Sequence, residues 1–181
     1  MNVSGISVLT CEPYFKGSME DLKSARESVN IPLLMKDFVI DPFQIHEGRV
    51  AGADAVLLIM RILSDRDFLE FIDTAEELGM EAVVEVHIKE ELDRALRLVK
   101  NWDNAILGIN NRNLDTLKTD LETTFNLIKF VREDKIVAIS ESGIKDRRDI
   151  ERLKNAGLRG ALIGESLLKS GDIIEKLKEL L

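Results

Sequence analysis

One lysine at the end of an apolar segment is the first candidate for chemistry. Lys36 follows Ile31–Met35, a short run of the kind that forms a buried strand in a parallel sheet. An ammonium group is costly to bury unless it is paired or used. Lys36 could therefore donate a proton, form a Schiff base or bind an anion. A lysine that reaches solvent from a strand end explains the sequence equally well.

Polar residues lie at the ends of other predicted strands. Glu85 interrupts the apolar run Ala82–His87, and Asn110 and Arg112 follow another such run. A carboxylate and an ammonium on neighbouring strands can divide acid and base roles, or can form a structural ion pair. Asn110 could orient a substrate group or cap its own loop. Arg112 could bind an anion or remain solvated.

Two glycine turns end the last two predicted strands. Ser142 and Gly143 follow one strand, and Gly164, Glu165 and Ser166 follow the other. In barrels that bind phosphate, backbone N–H groups at these strand ends and a helix N-terminus hold the anion. Two ordinary turns remain the alternative.

The elements that must position these residues recur regularly along the chain. Amphipathic, charged stretches separate seven apolar runs, which is the pattern of βα units. Ser64 and Asp146 are the predicted N-caps of two of these stretches. The clearest predicted helices are Asp65–Leu78, Glu90–Val99, Leu121–Val131, Arg147–Ala156 and Ile173–Leu181. We therefore predict one α/β domain over residues 1–181, a (βα)8 TIM-type barrel truncated to about seven βα units with a mostly parallel sheet. A doubly wound open sheet is the structural alternative. The predicted strands are Ile6–Thr10, Ile31–Phe38, Ala53–Met60, Ala82–His87, Ala105–Asn111, Lys135–Ser140 and Gly160–Gly164.

Composition restricts the partners of the chain. Its 181 residues carry a net charge of −8 without a basic stripe, which argues against nucleic acid as a partner. The single cysteine, Cys11, fits a small packed side chain better than a nucleophile. His46 and His87 lie in no metal-ligand spacing, so we predict no metal site. The sequence contains no signal peptide and no long apolar run, and we predict a cytoplasmic protein without membrane contact.

The order and spacing of these runs resemble the indole-3-glycerol phosphate synthase family over nearly the whole chain. The matching segments are Ile6–Thr10, Tyr14–Ser18, Leu34–Phe38, Gly52–Ile59, Ala75–Met80, Val84–Val86, Gly108–Leu114, Glu141–Ile144 and Leu162–Ser166.

The resemblance implies a carboxy-lyase of tryptophan biosynthesis that needs no cofactor. Its phosphorylated anilino-sugar substrate, 1-(2-carboxyphenylamino)-1-deoxyribulose 5-phosphate, closes onto its own aromatic ring with loss of carbon dioxide and water. Lys36 matches the general acid of the family, Glu85 a catalytic carboxylate, and Asn110 the residue that orients the intermediate.

The same resemblance implies a set of binding residues. Ser142 matches a substrate contact, and Gly143, Gly164 and Glu165 match the phosphate-binding backbone. Arg112 joins this set as a candidate anion ligand. The positions that match the pocket wall are Ser7, Phe38 and Leu58; for Phe38 and Leu58, core packing is an equally good explanation.

The sequence also departs from the family. The N-terminal helical extension, the first strand with its Glu-x-Lys motif and the Ser-Pro-Ser turn have no counterpart, and Cys11 replaces a residue that is often acidic. We therefore expect a family member that lacks the first βα unit, with very low activity and two unpaired strand edges that allow self-association. The alternatives are a non-catalytic barrel fragment that needs the missing unit in trans and, more distantly, an aldolase with a Schiff base on Lys36.

Overall fold

Seven parallel strands form one sheet in the computed structural model, which describes residues 3–181. Met1 and Asn2, the first residues of the predicted domain, lie outside the described residues. All seven predicted strands are present, although most are shorter than predicted. They are β1 Ile6–Leu9, β2 Leu33–Lys36, β3 Ala55–Ile59, β4 Glu81–Val86, β5 Ala105–Asn110, β6 Val137–Glu141 and β7 Gly160–Leu162.

The strands lie side by side in the order in which they occur along the chain. Each neighbouring pair is parallel, and the register aligns the ends of the strands. A doubly wound sheet reverses its strand order at a switch point, and no reversal is present among the described strands. The structural alternative is therefore wrong, and the truncated-barrel prediction is confirmed.

Helices follow the strands and cover one face of the sheet. Their starts carry recognisable caps: Ser18 and Asp41 form capping boxes, and the predicted N-caps Ser64 and Asp146 each accept a hydrogen bond from the first turn. The helices are α1 Glu12–Phe15, α2 Met19–Ser28, α3 Pro42–Val50, α4 Asp65–Glu77, α5 Lys89–Leu98, α6 Glu122–Leu127, α7 Arg147–Asn155, α8 Glu165–Leu168 and α9 Ile173–Leu180, with 3-10 turns at Trp102–Asn104 and Ile128–Phe130.

The two faces of the sheet bury different sets of side chains. Because successive residues of a strand point to opposite faces, β3 sends Val56 and Leu58 toward the helices and Leu57 and Ile59 toward the barrel interior. The helix-facing cluster is the larger core and includes Phe68 at its centre. The interior cluster is small. Polar side chains occupy the part of the interior at the carboxyl ends of the strands.

The sheet does not close on itself within the described residues. There, β1 pairs only with β2, and β7 pairs only with β6. The two predicted free edges are therefore confirmed. A parallel edge of this kind presents unpaired backbone N–H and C=O groups to another strand.

Candidate active site

Three charged side chains meet in the barrel interior at the carboxyl ends of the strands. The Lys36 Nζ lies 3.3 Å from Glu85 Oε2 and 2.9 Å from Glu141 Oε2. Lys36 ends β2 and Glu141 ends β6, four strands away in the sheet order. In a flat sheet these strands would be roughly 19 Å apart. The contact therefore requires the sheet to curl as a barrel wall does.

Burial makes these charges strongly dependent on one another. The side chains of Glu85 and Glu141 are 2% and 1% exposed, and that of Lys36 is 16% exposed. Burial alone would lower the pKa of Lys36, but the charges of Glu141 and Glu85 outweigh it and raise that pKa. Lys36 is therefore a firmly protonated ammonium rather than a free amine.

The two carboxyl groups differ strongly in pKa. Burial raises the pKa of Glu141 to about 7, against the opposing effect of Lys36. Burial also opposes ionisation of Glu85, but the nearby His87 imidazole and the Lys36 ammonium outweigh it and lower the pKa of Glu85 to about 2. Near neutral pH, Glu85 is thus the ionised member of the pair and Glu141 is close to its midpoint. This difference leaves Glu85 as the carboxylate that is ionised, and so able to accept a proton, at neutral pH.

A glycine on β5 makes room for the Glu141 carboxylate. Gly108 pairs in register with Glu85 on one side and with Ile139 on the other, and so faces the interior. A Cβ atom on Gly108 would lie only 2.2 Å from Glu141 Oε1. The absence of a side chain at this position allows the carboxylate to reach Lys36.

Asn110 caps its own loop, which is one of the two interpretations that its sequence position allows. It is buried at the end of β5, where its Oδ1 accepts a hydrogen bond from the Arg112 backbone N at 3.0 Å. Its side-chain amide also helps to lower the pKa of the Glu85 carboxyl. Asn110 therefore caps its loop and acts on the charged cluster.

The predicted anion-binding residues occupy the rim of the barrel. Arg112 is engaged within the protein: its Nη2 lies 2.7 Å from Glu165 Oε2, and its Nη1 donates to the Leu117 carbonyl. Glu165 also pairs with Lys169. Gly164 immediately precedes the short helix α8. The Arg112–Glu165 pair thus links the loop after β5 to the start of α8.

The turn after β6 has an unusual backbone conformation. Ser142 and Gly143 both have left-handed φ angles, 66° and 79°. For serine this conformation is uncommon and carries some strain. Buried Asn111 supports the turn, because its Nδ2 donates to the carbonyls of Glu141 and Ser142 at 2.9 and 3.0 Å, and its Oδ1 accepts from the Thr124 backbone N at 3.0 Å.

The predicted pocket-wall residues separate into two groups. Ser7 faces the interior, paired in register with Leu34, and its buried Oγ finds no hydrogen-bond partner in the described part of the chain. Phe38 packs against the interior cluster. Leu58 instead lies fully buried on the helix-facing side, as the core-packing interpretation expects.

Two aromatic rings from the β1–α1 segment gather on Phe38. Phe15 stacks on Phe38 with ring centroids 5.4 Å apart, and Tyr14 meets the same ring edge-on at 5.3 Å. The Tyr14 side chain is exposed and Phe15 partly so. This cluster provides an aromatic surface at the mouth of the interior.

Three residues of the charged cluster, Glu141, His87 and Glu91, are not among the predicted site residues. Glu141 and Glu91 have no predicted role, and His87 enters the sequence predictions only as a rejected metal ligand. His87 Nε2 lies 3.2 Å from Glu85 Oε1, and His87 Nδ1 lies 3.2 Å from Glu91 Oε2. The sequence does contain a signal for His87. It lies two residues after Glu85, and residues two apart on a strand share a face.

Residues 3–181 contain neither a cluster of metal-binding side chains nor a helix that could span a membrane. No group of three or more His, Cys, Asp or Glu side chains there is arranged to hold a metal ion. No helix in that range combines the length and apolarity that crossing a bilayer requires.

Comparisons with known proteins agree with this architecture. In solved structures, 3-hexulose-6-phosphate synthase from Salmonella typhimurium aligns with a TM-score of 0.78 at 16% identity, covering 96% of this chain and 83% of that one. The KGPDC enzyme of Streptococcus mutans aligns with a TM-score of 0.71 at 12% identity, covering 98% of this chain and 83% of that one. These likenesses support the fold alone.

The sequence comparisons identify the family. The family model for indole-3-glycerol phosphate synthase matches residues 1–180. Curated indole-3-glycerol phosphate synthases from Aquifex aeolicus and Prochlorococcus marinus (strain MIT 9301) are 50% and 45% identical, over 97% and 99% of this chain. The chain spans 67% and 61% of the length of those two relatives. It belongs to the indole-3-glycerol phosphate synthase family.

Proposed function

We propose that this chain carries the Lys36–Glu85 acid–base site of an indole-3-glycerol phosphate synthase. The reaction closes 1-(2-carboxyphenylamino)-1-deoxyribulose 5-phosphate into indole-3-glycerol phosphate, with release of one carbon dioxide and one water. The observation that carries the proposal is the partly buried Lys36 ammonium, which lies between the fully buried carboxylates of Glu85 and Glu141. Family membership supports it.

Each group in the site suits one part of this reaction. Lys36 donates a proton to the ketone oxygen as the aromatic carbon that bears the carboxylate attacks the ketone carbon. Carbon dioxide then leaves and aromaticity returns. The Lys36 amine takes up a proton from solvent and then donates it to the new hydroxyl, which departs as water. Ionised Glu85 takes the proton whose loss completes the indole ring. Asn110, whose amide acts on Glu85, orients the intermediate.

The rim of the barrel suits the two ends of this substrate. The left-handed Ser142–Gly143 turn and the backbone around Gly164 and Glu165 supply the proposed phosphate contacts. Arg112 would join them only by leaving its Glu165 partner. Beside β1 and β2, the Ser7 hydroxyl, which has no hydrogen-bond partner within residues 3–181, and the aromatic surface on Phe38 suit the anilino ring.

The aldolase alternative fits the site less well. A lysine that forms a Schiff base needs a depressed pKa so that the free amine is populated. The two carboxylates raise the pKa of Lys36 instead. Borohydride trapping of a carbonyl substrate on Lys36 would support the aldolase and contradict our assignment.

Turnover of the anilino substrate tests the proposal directly. We expect little activity from these 181 residues alone, because the sheet stays open between β1 and β7 in the described structure. Adding a peptide that carries the first βα unit of a full-length family member should raise the rate. A Lys36→Met variant, which keeps the length of the side chain but removes its charge, should stay inactive in both conditions.

The non-catalytic alternative predicts a different outcome. If the chain serves only as a barrel fragment for assembly, the peptide binds but the rate does not rise above that of Lys36→Met. That result would overturn the catalytic proposal. A wild-type rate that rises with peptide concentration and saturates would contradict the alternative.

We also propose that this single domain is cytoplasmic and self-associates through its free strand edges. β1 and β7 each lack a second strand partner within residues 3–181, and edges of this kind favour pairing with another chain. Sedimentation velocity should show dimers that increase with concentration. The N–H groups of Ile6 and Thr10 donate to β2, so the alternation along the strand turns the N–H of Leu9 to the free edge. A monomer at every concentration, or a dimer that persists in Leu9→Pro, would contradict pairing through this edge.

A further inference from the structure

A buried histidine beside the proposed base has no role in the mechanism described above. His87 directly follows β4 and is 6% exposed. It lies two residues beyond Glu85, so both side chains point to the same face of the sheet. Its Nε2 lies 3.2 Å from Glu85 Oε1, while Lys36 Nζ lies 3.3 Å from the other oxygen, Glu85 Oε2. Each oxygen of the Glu85 carboxylate therefore faces a different nitrogen group.

A second carboxylate fixes the opposite side of the imidazole ring. Glu91 lies in the first turn of α5 and is 5% exposed. Its Oε2 lies 3.2 Å from His87 Nδ1 and also accepts a hydrogen bond from the His87 backbone N at 2.6 Å. This oxygen thus contacts both the ring and the main chain of His87. Rotation of the ring would break one of these contacts.

The contacts of the two ring nitrogens decide the charge of His87. A neutral imidazole has one N–H donor and one acceptor nitrogen, but both ring nitrogens lie 3.2 Å from carboxylate oxygens. Nδ1 is within hydrogen-bond distance of Glu91, whereas Nε2 has no aligned hydrogen-bond partner in the described part of the chain, so its contact with Glu85 is an ion pair by distance. Negative charge on both sides of the ring favours the doubly protonated form over either neutral form. Burial opposes this charge, but Glu85 and Glu91 outweigh burial and raise the pKa of His87 to about 9.

Charged residues from four parts of the fold lie around His87. Glu85 comes from β4, Glu91 from α5, Lys36 from the end of β2, and Arg61 follows β3. Arg61 acts on Glu91 and helps to lower its pKa, and its Nη2 lies 2.6 Å from Asp115 Oδ2. From Glu91 to Glu141 the charges alternate through His87, Glu85 and Lys36. Every member of this row has a neighbour of opposite sign.

We propose that His87 is a positioning residue for Glu85, held by Glu91 and acting as an imidazolium that fixes the orientation and the ionised state of the Glu85 carboxylate. The inference rests on the proposed function in that Glu85 is the base. Lys36 alone could not serve this purpose, because it is shared with Glu141 at 2.9 Å. His87 gives Glu85 a cationic partner of its own.

Carboxyl NMR titration of Glu85 tests the proposal without substrate. We would label glutamate side chains with 13C and assign the Glu85 signal by its loss in Glu85→Gln. In His87→Gln the amide can still donate a hydrogen bond but carries no charge. An opposite charge at this distance typically shifts a carboxyl pKa by about 1–3 units, so we expect the pKa of Glu85 to rise by that amount. The control His46→Gln removes an exposed imidazole on α3 and should leave Glu85 unchanged.

A purely structural histidine predicts a different spectrum. If folded His87→Gln retains the wild-type titration of Glu85, the proposal is wrong. If that variant does not fold, the His87 ring of the wild type is measured by 15N NMR, with His46→Gln to assign it. Protonation of both nitrogens at pH 7 supports the proposal, and a neutral ring overturns it. Neither experiment depends on whether the chain makes indole-3-glycerol phosphate.

Discussion

The fit of Glu141 against Gly108 gives the sharpest prediction. In Gly108→Ala, the new methyl group would lie 2.2 Å from Glu141 Oε1 and 3.1 Å from Val83 Cγ1. The carboxylate would have to move by about 1 Å to restore normal contact. It has little room, because its side chain is 1% exposed and bound to Lys36 at 2.9 Å. Overpacking of this kind costs about 1–3 kcal/mol, and we expect that loss in the free energy of unfolding.

Urea denaturation measures the loss, and a matched glycine provides the control. A Cβ atom at Gly171 would meet no atom within 4 Å, and Gly171 has no left-handed φ, so Gly171→Ala should be nearly neutral. The Glu141→Ala variant removes the clashing carboxylate. Gly108→Ala should therefore cost less in that background, with a coupling free energy of about 0.5–3 kcal/mol.

The double-mutant cycle can refute the geometry. If Gly108→Ala costs the same free energy with and without the Glu141 carboxylate, the two groups do not meet as described. A loss of stability confined to the Val83 contact would give this result. The proposed site would then need a different arrangement of Glu141 and Lys36.

Two further predictions concern the support of the site and its response to pH. Asn111→Ala should lower the free energy of unfolding by about 1–3 kcal/mol, because the Ser142 carbonyl loses its donor and the buried Thr124 hydroxyl and N–H lose an acceptor. The exposed Asn126→Ala should have little effect in the same urea titration. Folding raises the pKa of Glu141 from 4.5 to about 7 and that of His87 from 6.5 to about 9, so the folded state holds extra protons in these windows. The free energy of unfolding should therefore fall as the pH rises from 5 to 9. His87→Gln should make this decline shallower above pH 6.5. A free energy of unfolding that stays constant across this range would contradict both pKa shifts.

The sequence predicted the strands and the main polar residues because their signals are local. Apolar runs of strand length gave all seven strands, and single charges inside such runs identified Lys36 and Glu85. The cap residues Ser64 and Asp146 were likewise predicted, since an N-cap depends on a few adjacent residues. Helices α2 and α3 were not delimited, although their capping boxes were visible in the sequence.

The remaining features depend on contacts that the sequence does not encode locally. Leu58 shows the limit within a strand: β3 is buried on both faces, so its composition does not indicate which residues point inward. Glu141 shows the limit between strands, because its approach to Lys36 follows from the curl of the sheet. His87 lay within reach of the two-residue alternation, but its partner Glu91 comes from the next helix.

The order of the strands gives the charged cluster a second consequence. Because strand order follows chain order, each βα unit packs mainly on its immediate neighbours, as in a linear array of repeats. Such arrays fray from their ends, where a unit has only one neighbour. The ion pair between Lys36 and Glu141 directly connects two βα units, those of β2 and β6, that are four strands apart in the sheet. The contact at the centre of the proposed site therefore couples β2 to β6, so that separation of these two strands and loss of the proposed acid–base geometry become one cooperative event.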